Sequence, residues 1–357
     1  MMNARGIARV GMLAVGLGVG AAIASTPGTA SADTSTDWLS SLDSLLGGAL
    51  PGADTAASAL DIQISINGMD LLPTAGNAAT ANSGLGDFAI AIGNGATANA
   101  TGGAGNYALA DGTDALANAG GGSSSSTFDT AIDIGNNTPT TEGFPDGAFA
   151  GAASLIDNPN GGTGSFDTAI DIGNNGPDPT APIIDGNSGA FAGAGGLVGL
   201  SGNGNNDTAI DFGNNNGFGL GPAAVDGNSD SASQSGNFTG DNLGSFAGIG
   251  NNDIASEVGN GSNAVAGGSF ADTSLTGNND IAYVFDPTGT MGSNAFSGAD
   301  TASGNSDLAA VLGVDNMTAT AQNANFLYDI ITLFGTVPGS AAVDTSSNFL
   351  TDLLSLF

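Results

Sequence analysis

Eight times between Asp87 and Gly313 the chain repeats a seven-residue phrase with Asp or Asn first, Ala third and, in all copies but one, Gly last. The copies are Asp87-Phe-Ala-Ile-Ala-Ile-Gly93, Asn106-Tyr-Ala-Leu-Ala-Asp-Gly112, Asp129-Thr-Ala-Ile-Asp-Ile-Gly135 and Asp167-Thr-Ala-Ile-Asp-Ile-Gly173. They continue as Asp207-Thr-Ala-Ile-Asp-Phe-Gly213, Asp253-Ile-Ala-Ser-Glu-Val-Gly259, Asp280-Ile-Ala-Tyr-Val-Phe-Asp286 and Asp307-Leu-Ala-Ala-Val-Leu-Gly313. The second, fourth and sixth positions are mostly apolar. A period of two puts Ile132 and Ile134 on one face and Asp129, Ala131 and Asp133 on the other, as a β-strand requires and a helix does not. Glycine or Asn-Asn after the strands supplies the left-handed or tight conformations of turns.

A second phrase lies between these strands: Gly147-Ala-Phe-Ala-Gly151, Gly189-Ala-Phe-Ala-Gly193, Gly244-Ser-Phe-Ala-Gly248 and Gly268-Ser-Phe-Ala-Asp272, with Gly93–Ala100 and Gly292–Ser297 of similar character. Successive first phrases begin 19, 23, 38, 40, 46, 27 and 27 residues apart, so some coils carry loop insertions. Short strands recurring at coil-sized intervals predict an all-β chain, a β-solenoid or β-roll in which each coil buries an apolar face against the last. Of the two faces, the isoleucine face is expected inside and the aspartate ladder outside. If the alanine face is inside instead, the interior is narrow and a partner covers the isoleucines.

The termini differ. Residues 1–32 read as a secretory signal peptide, with Arg5 and Arg9 in its positive region, an apolar run and an Ala30-Ser31-Ala32 cleavage signal. Residues 33–60 carry a helical stripe around Trp38, Leu42 and Leu45 and are expected to form an N-terminal helical cap. Residues 61–320 form the solenoid, and 321–357, with apolar segments at Phe326–Phe334 and Asn348–Phe357, a C-terminal apolar, helical cap. Such caps cover the unpaired strand edges at the ends of a solenoid. Neither C-terminal segment reaches the roughly 20 residues that span a bilayer, so no transmembrane span is expected after signal cleavage.

Beyond residue 32 the chain has no Lys, Arg, His or Cys, so 34 acidic side chains face no basic one. That balance repels nucleic acids and anionic lipid, whose phosphates are held by Lys and Arg. It leaves cations, neutral glycans, cell-wall material, apolar surfaces and self-association through the alanine faces as partners. Nucleophilic triads lack their histidine, P-loops and Schiff bases their lysine, and zinc sites their usual ligands. Only carboxylate chemistry survives. A glycosidase working through one pair of aspartates is the minor alternative to a non-enzymatic chain.

Calcium, which takes oxygen ligands, is the cofactor such a ladder suggests. The candidate ligands are Asp129, Asp133, Asp167, Asp171, Asp207 and Asp211, repeated from coil to coil. Asp226-Gly-Asn228-Ser-Asp230 adds an opening like that of an EF-hand loop, with Ser231 in place of its glycine and Asn237 in place of its final glutamate.

Phe88-Ala-Ile-Ala-Ile-Gly-Asn-Gly-Ala-Thr-Ala98, followed by Tyr107-Ala-Leu-Ala-Asp-Gly112, resembles the head repeats of trimeric autotransporter adhesins. The resemblance implies a β-roll and adhesion at a surface. The Gly-, Ala- and Asn-rich texture, as in Gly213-Asn-Asn-Asn-Gly-Phe-Gly219, is similar to the secreted PGRS and MPTR repeat proteins of mycobacteria, with a signal peptide where those carry a PE or PPE domain. That likeness implies secretion or residence in the cell envelope. The function expected is therefore a structural or surface-interaction role outside the cytosol, with an adhesin or glycan-binding module as the alternative.

Overall fold

Two parallel ladders of short strands run the length of the described chain. The computed structural model describes residues 61–71, 77–120, 126–137, 147–151, 164–176, 189–193, 204–216, 221–225, 227–238, 244–248, 250–259, 263–267, 277–286, 294–298, 306–312, 318–322, 328–332 and 342–343. Among these residues there is no helix. The seven-residue phrases form the core of a 13-stranded sheet, and the intervening strands form an 11-stranded one. Consecutive strands alternate between the sheets, as in a β-solenoid.

Register is in step from coil to coil. Thr130, Thr168 and Thr208 are partners, as are Ile132, Ile170 and Ile210, and Asp133, Asp171 and Asp211. In the second sheet Ala98, Ala117, Ala148 and Ala190 stand in one row. Identical residues therefore stack on identical residues at the spacing of one strand, about 4.8 Å.

The expected orientation is reversed. The constant third-position alanines, Ala89, Ala108, Ala131, Ala169, Ala209, Ala255, Ala282 and Ala309, are fully buried, and they meet buried alanines of the second sheet such as Ala98, Ala117, Ala148 and Ala264. Ile172 and Phe212, on the opposite face of their strands, are exposed. The core is a slab of methyl groups between two sheets, so the alanine faces are not a surface through which copies could assemble. The physical reason lies at position one. Its aspartate must turn inward to meet the next coil's backbone, and in a strand positions one, three and five share a face. Fixing that side chain inside carries alanine inside with it and turns the isoleucines out.

Every described turn into a phrase strand of this sheet, from Asp87 to Asp307, places one residue in the left-handed conformation directly before position one. Glycine does this at Gly86 and Gly105, Asn or Ser at Asn206, Ser229, Asn252, Asn279 and Ser306. Gly and, after it, Asn adopt positive φ at least cost. Phe128 (φ 61°) and Phe166 (φ 64°) break the rule, and their rings stack on each other at 5.2 Å. At the other end of the phrase the coils approach backbone to backbone. A Cβ on Gly135 would lie 1.3 Å from the Gly173 carbonyl oxygen, and one on Gly213 1.5 Å from that of Gly236.

Among the described residues the stack begins at a hairpin. Ile62–Ile66 pairs antiparallel with Phe88–Ile92, and Asn67 (φ 53°) and Gly68 (φ 77°) turn it back into Met69–Asp70. An Asn-Gly pair with both φ positive is the favoured two-residue hairpin turn. On its inner side Gln63 Oε1 accepts the Ala81 amide at 3.0 Å, and the Ser65 and Ser83 hydroxyls bond at 2.9 Å, which seals the first coil with polar groups.

The structure adds a coil that the phrase spacing concealed. Asp230-Ser-Ala-Ser-Gln-Ser-Gly236 occupies the same register, pairing Ala232 with Ala209 and Ala255. The 46-residue interval is thus two coils of 23. In the coil after Asp253 the second-sheet strand is Asn263–Gly267, and Gly268–Asp272 lies outside the described residues. Tyr328–Thr332 is a further strand, paired with Leu308–Leu312, so this part of the expected helical C-terminal cap belongs to the sheet. The signal peptide, the N-terminal cap at 33–60 and most of the C-terminal cap also lie outside the described residues.

Candidate functional site

The feature with chemical content is a single file of carboxylates inside the column. Each position-one side chain accepts the backbone N–H of the next coil's position-one residue on its Oδ1. Asp129 accepts from Asp167 at 3.1 Å, Asp167 from Asp207 at 3.0 Å and Asp207 from Asp230 at 3.0 Å. Asp230, Asp253 and Asp280 continue the file to Asp307, each at 2.9 Å. At its start Asp87 Oδ1 takes the Asn106 amide at 2.8 Å, and Asn106 Oδ1 takes that of Asp129 at 3.0 Å.

The left-handed residue explains the need. It swings the following N–H out of the regular sheet ladder, and a buried N–H without an acceptor costs about as much as a lost hydrogen bond. A short side chain with an sp² oxygen at that same position in the neighbouring coil supplies the acceptor. Asp and Asn both qualify, and Asn106 also donates its Nδ2 to the carbonyls of Thr101 (3.4 Å) and Ser126 (3.3 Å).

The second carboxylate oxygen is less well served. In Asp129, Oδ2 accepts from the Ser126 hydroxyl at 2.7 Å. In Asp87, Asp167, Asp207, Asp230, Asp253 and Asp280 the Oδ2 atom is buried with no hydrogen-bond partner. It faces a corner glycine: a Cβ on Gly267 would lie 2.2 Å from Asp253 Oδ2, and one on Gly227 2.1 Å from Asp230 Oδ2.

No Lys, Arg or His stands among the described residues, and burial shifts the acids of the file toward their neutral form. Burial is the main cause of every shift, opposed by the amide hydrogen bonds and, except at Asp87 and Asp230, reinforced by neighbouring carboxylates of the file. It pushes Asp129 up to about 6, Asp230 and Asp280 to about 7, Asp167 and Asp253 to about 8, and Asp207 to about 9. Asp87 is raised by burial against the amides of Asn106, Gly84 and Gly105.

A second inner row occupies position five. Asp133 Oδ2 accepts the Leu116 amide at 2.6 Å and Asn137 Nδ2 at 2.7 Å, and Asp171 Oδ2 accepts Asn175 Nδ2 at 2.5 Å. Asp211, Gln234 and Glu257 follow in the same row, all buried. Burial raises the Asp133 carboxyl, with Asp111 adding to the effect.

The sequence candidates are therefore divided between two interior rows. Asp129, Asp167, Asp207 and Asp230 stand in the first, Asp133, Asp171 and Asp211 in the second, all on the inner face where an outer one was expected. Asn228 belongs elsewhere, in a surface ladder where Asn205 donates to it at 3.0 Å and it donates to Asn251 at 2.9 Å. The EF-hand-like opening is thus a coil corner, and Asp226 lies outside the described residues. Among the described residues no three acidic side chains gather around one point as a metal site would need. No described helix is long and apolar enough to cross a membrane.

The sequence reading missed Asp87, Asn106, Asp253, Asp280 and Asp307 as members of the file, although they open phrases already aligned. The signal available was the residue before each one, which is Asn, Ser or Gly in most coils. Comparison with protein-family models, with curated proteins and with solved structures gives no match.

Proposed function

We propose that this chain is a secreted, non-enzymatic solenoid that serves as a structural or surface-interaction element of the cell envelope or extracellular space. The observation that carries the reading is where the acids are. Carboxylates are the main titratable chemistry left beyond residue 32, and among the described residues Asp129, Asp167, Asp207, Asp230, Asp253 and Asp280 stand in single file in the interior with Oδ1 engaged by backbone amides, beside a second buried row of Asp133, Asp171 and Asp211. A hydrolase needs two carboxyl groups flanking a cleft that admits substrate; these flank only other coils. Export is supported by the amino-terminal sequence, and a chain without cysteine gains its rigidity outside the cell from stacked backbone and not from disulfides.

The test is expression of the full chain in a secreting bacterium, followed by fractionation and amino-terminal sequencing. The expected product begins at Asp33 outside the cytosol and turns over no neutral polysaccharide. Recovery only from cytosol, or a turnover abolished by Asp207→Asn, overturns the reading. A glycan-binding module is the second reading, favoured by the ladder of asparagine amides from Asn205 to Asn278 that runs along one exposed corner. Retention on a glycan array, lost on replacing Asn228 and Asn251 by Ala, would favour it.

A further inference from the structure

The outer face of the 13-stranded sheet carries most of the exposed large apolar residues of the described chain, among them Ile172 (37% exposed), Phe212 (48%), Ile254 (43%), Ile281 and Phe285 (41%). Seven consecutive strands, from Thr130–Ile134 to Leu308–Leu312, present this face, and the fourth of them, Ser231–Phe238, differs from the rest. Its outward residues are Ser231, Ser233 and Ser235, with Ser233 hydrogen-bonded to Ser256 at 3.0 Å. Three strands with apolar fourth and sixth positions lie on either side of this low polar strip, apart from Ser256 and Ala310.

We propose that this face binds a second copy of the chain, the two columns antiparallel about a two-fold axis along the Ser231–Phe238 strand. Such an axis sets serine strand on serine strand and each three-strand patch on the other patch of the partner. Residues at equal positions then face each other: Ile172 meets the partner's Phe285, Phe212 the partner's Val258 and Ile134 the partner's Leu312. The bulky Ile281-Tyr283-Phe285 edge is laid on the slimmer Thr168-Ile170-Ile172.

Two further arguments select this occupant. Seven strands at about 4.8 Å, each about five residues of 3.3 Å long, make a face of roughly 550 Å². Two copies would bury roughly 1,100 Å², which clears the roughly 1,000 Å² expected of a biological interface. Charge agrees: on these seven strands the acids at positions one and five point inward, so the outward positions set no like charges opposite one another. An anionic lipid surface is disfavoured, because no Lys or Arg beyond residue 32 is present to hold its phosphates. The pairing rests on the scaffold reading only for its purpose.

The test is sedimentation velocity on the mature chain, residues 33–357, across a hundredfold range of concentration, with circular dichroism to report folding. A mass of two chains is expected. Ile172→Asp and Phe285→Lys, both at exposed positions, each raise the dimer dissociation constant at least tenfold. The double variant I172D/F285K, which sets Asp opposite Lys twice in the antiparallel pair, recovers dimerisation. A wild-type monomer at all concentrations overturns the pairing, as does a dimer indifferent to the single variants or unrescued by the double one. A monomer leaves the scaffold reading standing, whereas recovery from cytosol defeats that reading and leaves the pairing intact.

Discussion

Raising the pH from about 4 to about 9 is expected to weaken the solenoid, the reverse of the acid sensitivity usual in proteins whose carboxylates are paired with cations. The sign follows from the interior file. An unfolded aspartate titrates near 3.8, whereas the buried carboxyls titrate between about 6 at Asp129 and about 9 at Asp207, chiefly because burial penalises the charged form. Between those limits the folded chain binds more protons than the unfolded one, so stability falls as pH rises. The contribution is fully present below the unfolded value and is lost as pH passes upward through the folded values.

The magnitude can be worked for one residue. Each pH unit between the two pKa values is worth about 1.4 kcal/mol, so Asp207 taken alone loses about 6 kcal/mol between pH 4 and pH 8.5. Water entry and relaxation around the charge reduce this, and titrations along the file are coupled. A gain of at least about 2 kcal/mol is therefore expected for Asp207→Asn at about pH 8.5, with little change at about pH 4. The amide keeps the Oδ1 acceptor used by Asp230 and avoids the charge, as Asn106 already does in its own coil.

Urea unfolding followed by far-ultraviolet circular dichroism at several pH values measures it, with Asp70→Asn, at an exposed residue of the first hairpin, as control. Surface repulsion in so acidic a chain also grows with pH, but salt screens it and leaves the buried term in place. Stability that rises from pH 4 to pH 8.5, or an Asp207→Asn variant weaker than wild type at every pH, would refute the reasoning.

Three other perturbations probe other parts of the architecture. Ala209→Leu pushes a larger side chain into the alanine slab and is expected to cost about 1–3 kcal/mol, read as a lower urea midpoint. Gly135→Ala sets a methyl against the Gly173 backbone carbonyl, which no side-chain rotation relieves; the thermal midpoint is expected to fall by more than for Gly95→Ala, where the left-handed backbone (φ 75°) adds strain but the nearest atom is a side-chain oxygen of Asp114 that can move. Adding millimolar calcium in place of chelator, at matched ionic strength, is expected to leave the melting curve unchanged. No three of the described acidic side chains gather around one point, and a specific rise of the midpoint would contradict this expectation.

The strands, their period of two and the stacking of equal on equal were legible because Asp129–Gly135 and Asp167–Gly173 are identical. The inward face was not legible. Hydrophobicity favours Ile132 over Ala131 as the core residue, and the term that outweighs it, an amide at Asp167 needing an acceptor in the coil beside it, depends on a partner 38 residues away. The coil at Asp230 escaped for a related reason. Its outward residues are Ser231, Ser233 and Ser235, so it lacks the apolar alternation that marked the others, and only its Asp, Ala232 and Gly236 keep the phrase. Asn67-Gly68, which the sequence reading did not single out, carries the dipeptide signal of a hairpin turn. Phe128 and Phe166 were not readable as left-handed residues, because their conformation is imposed by the coil and stabilised by the stacking of the two rings.

The placement of the acids also changes what the composition means. Thirteen of the carboxylates among the described residues are buried, so the formal charge overstates what solvent and partners meet. A column that draws these acids inside presents a flat apolar face that would be implausible on a uniformly charged surface. The two features are linked by strand geometry. Because positions one, three and five share a side, drawing aspartate inward to accept the next coil's amide necessarily presents positions two, four and six to the outside. Their apolar character is then no contribution to this core, and its natural explanation is a second surface that covers it. Asp207→Asn separates the two consequences. It removes a buried charge without touching the outer face, so it should raise stability at high pH while leaving the dimer dissociation constant of the folded chain unchanged.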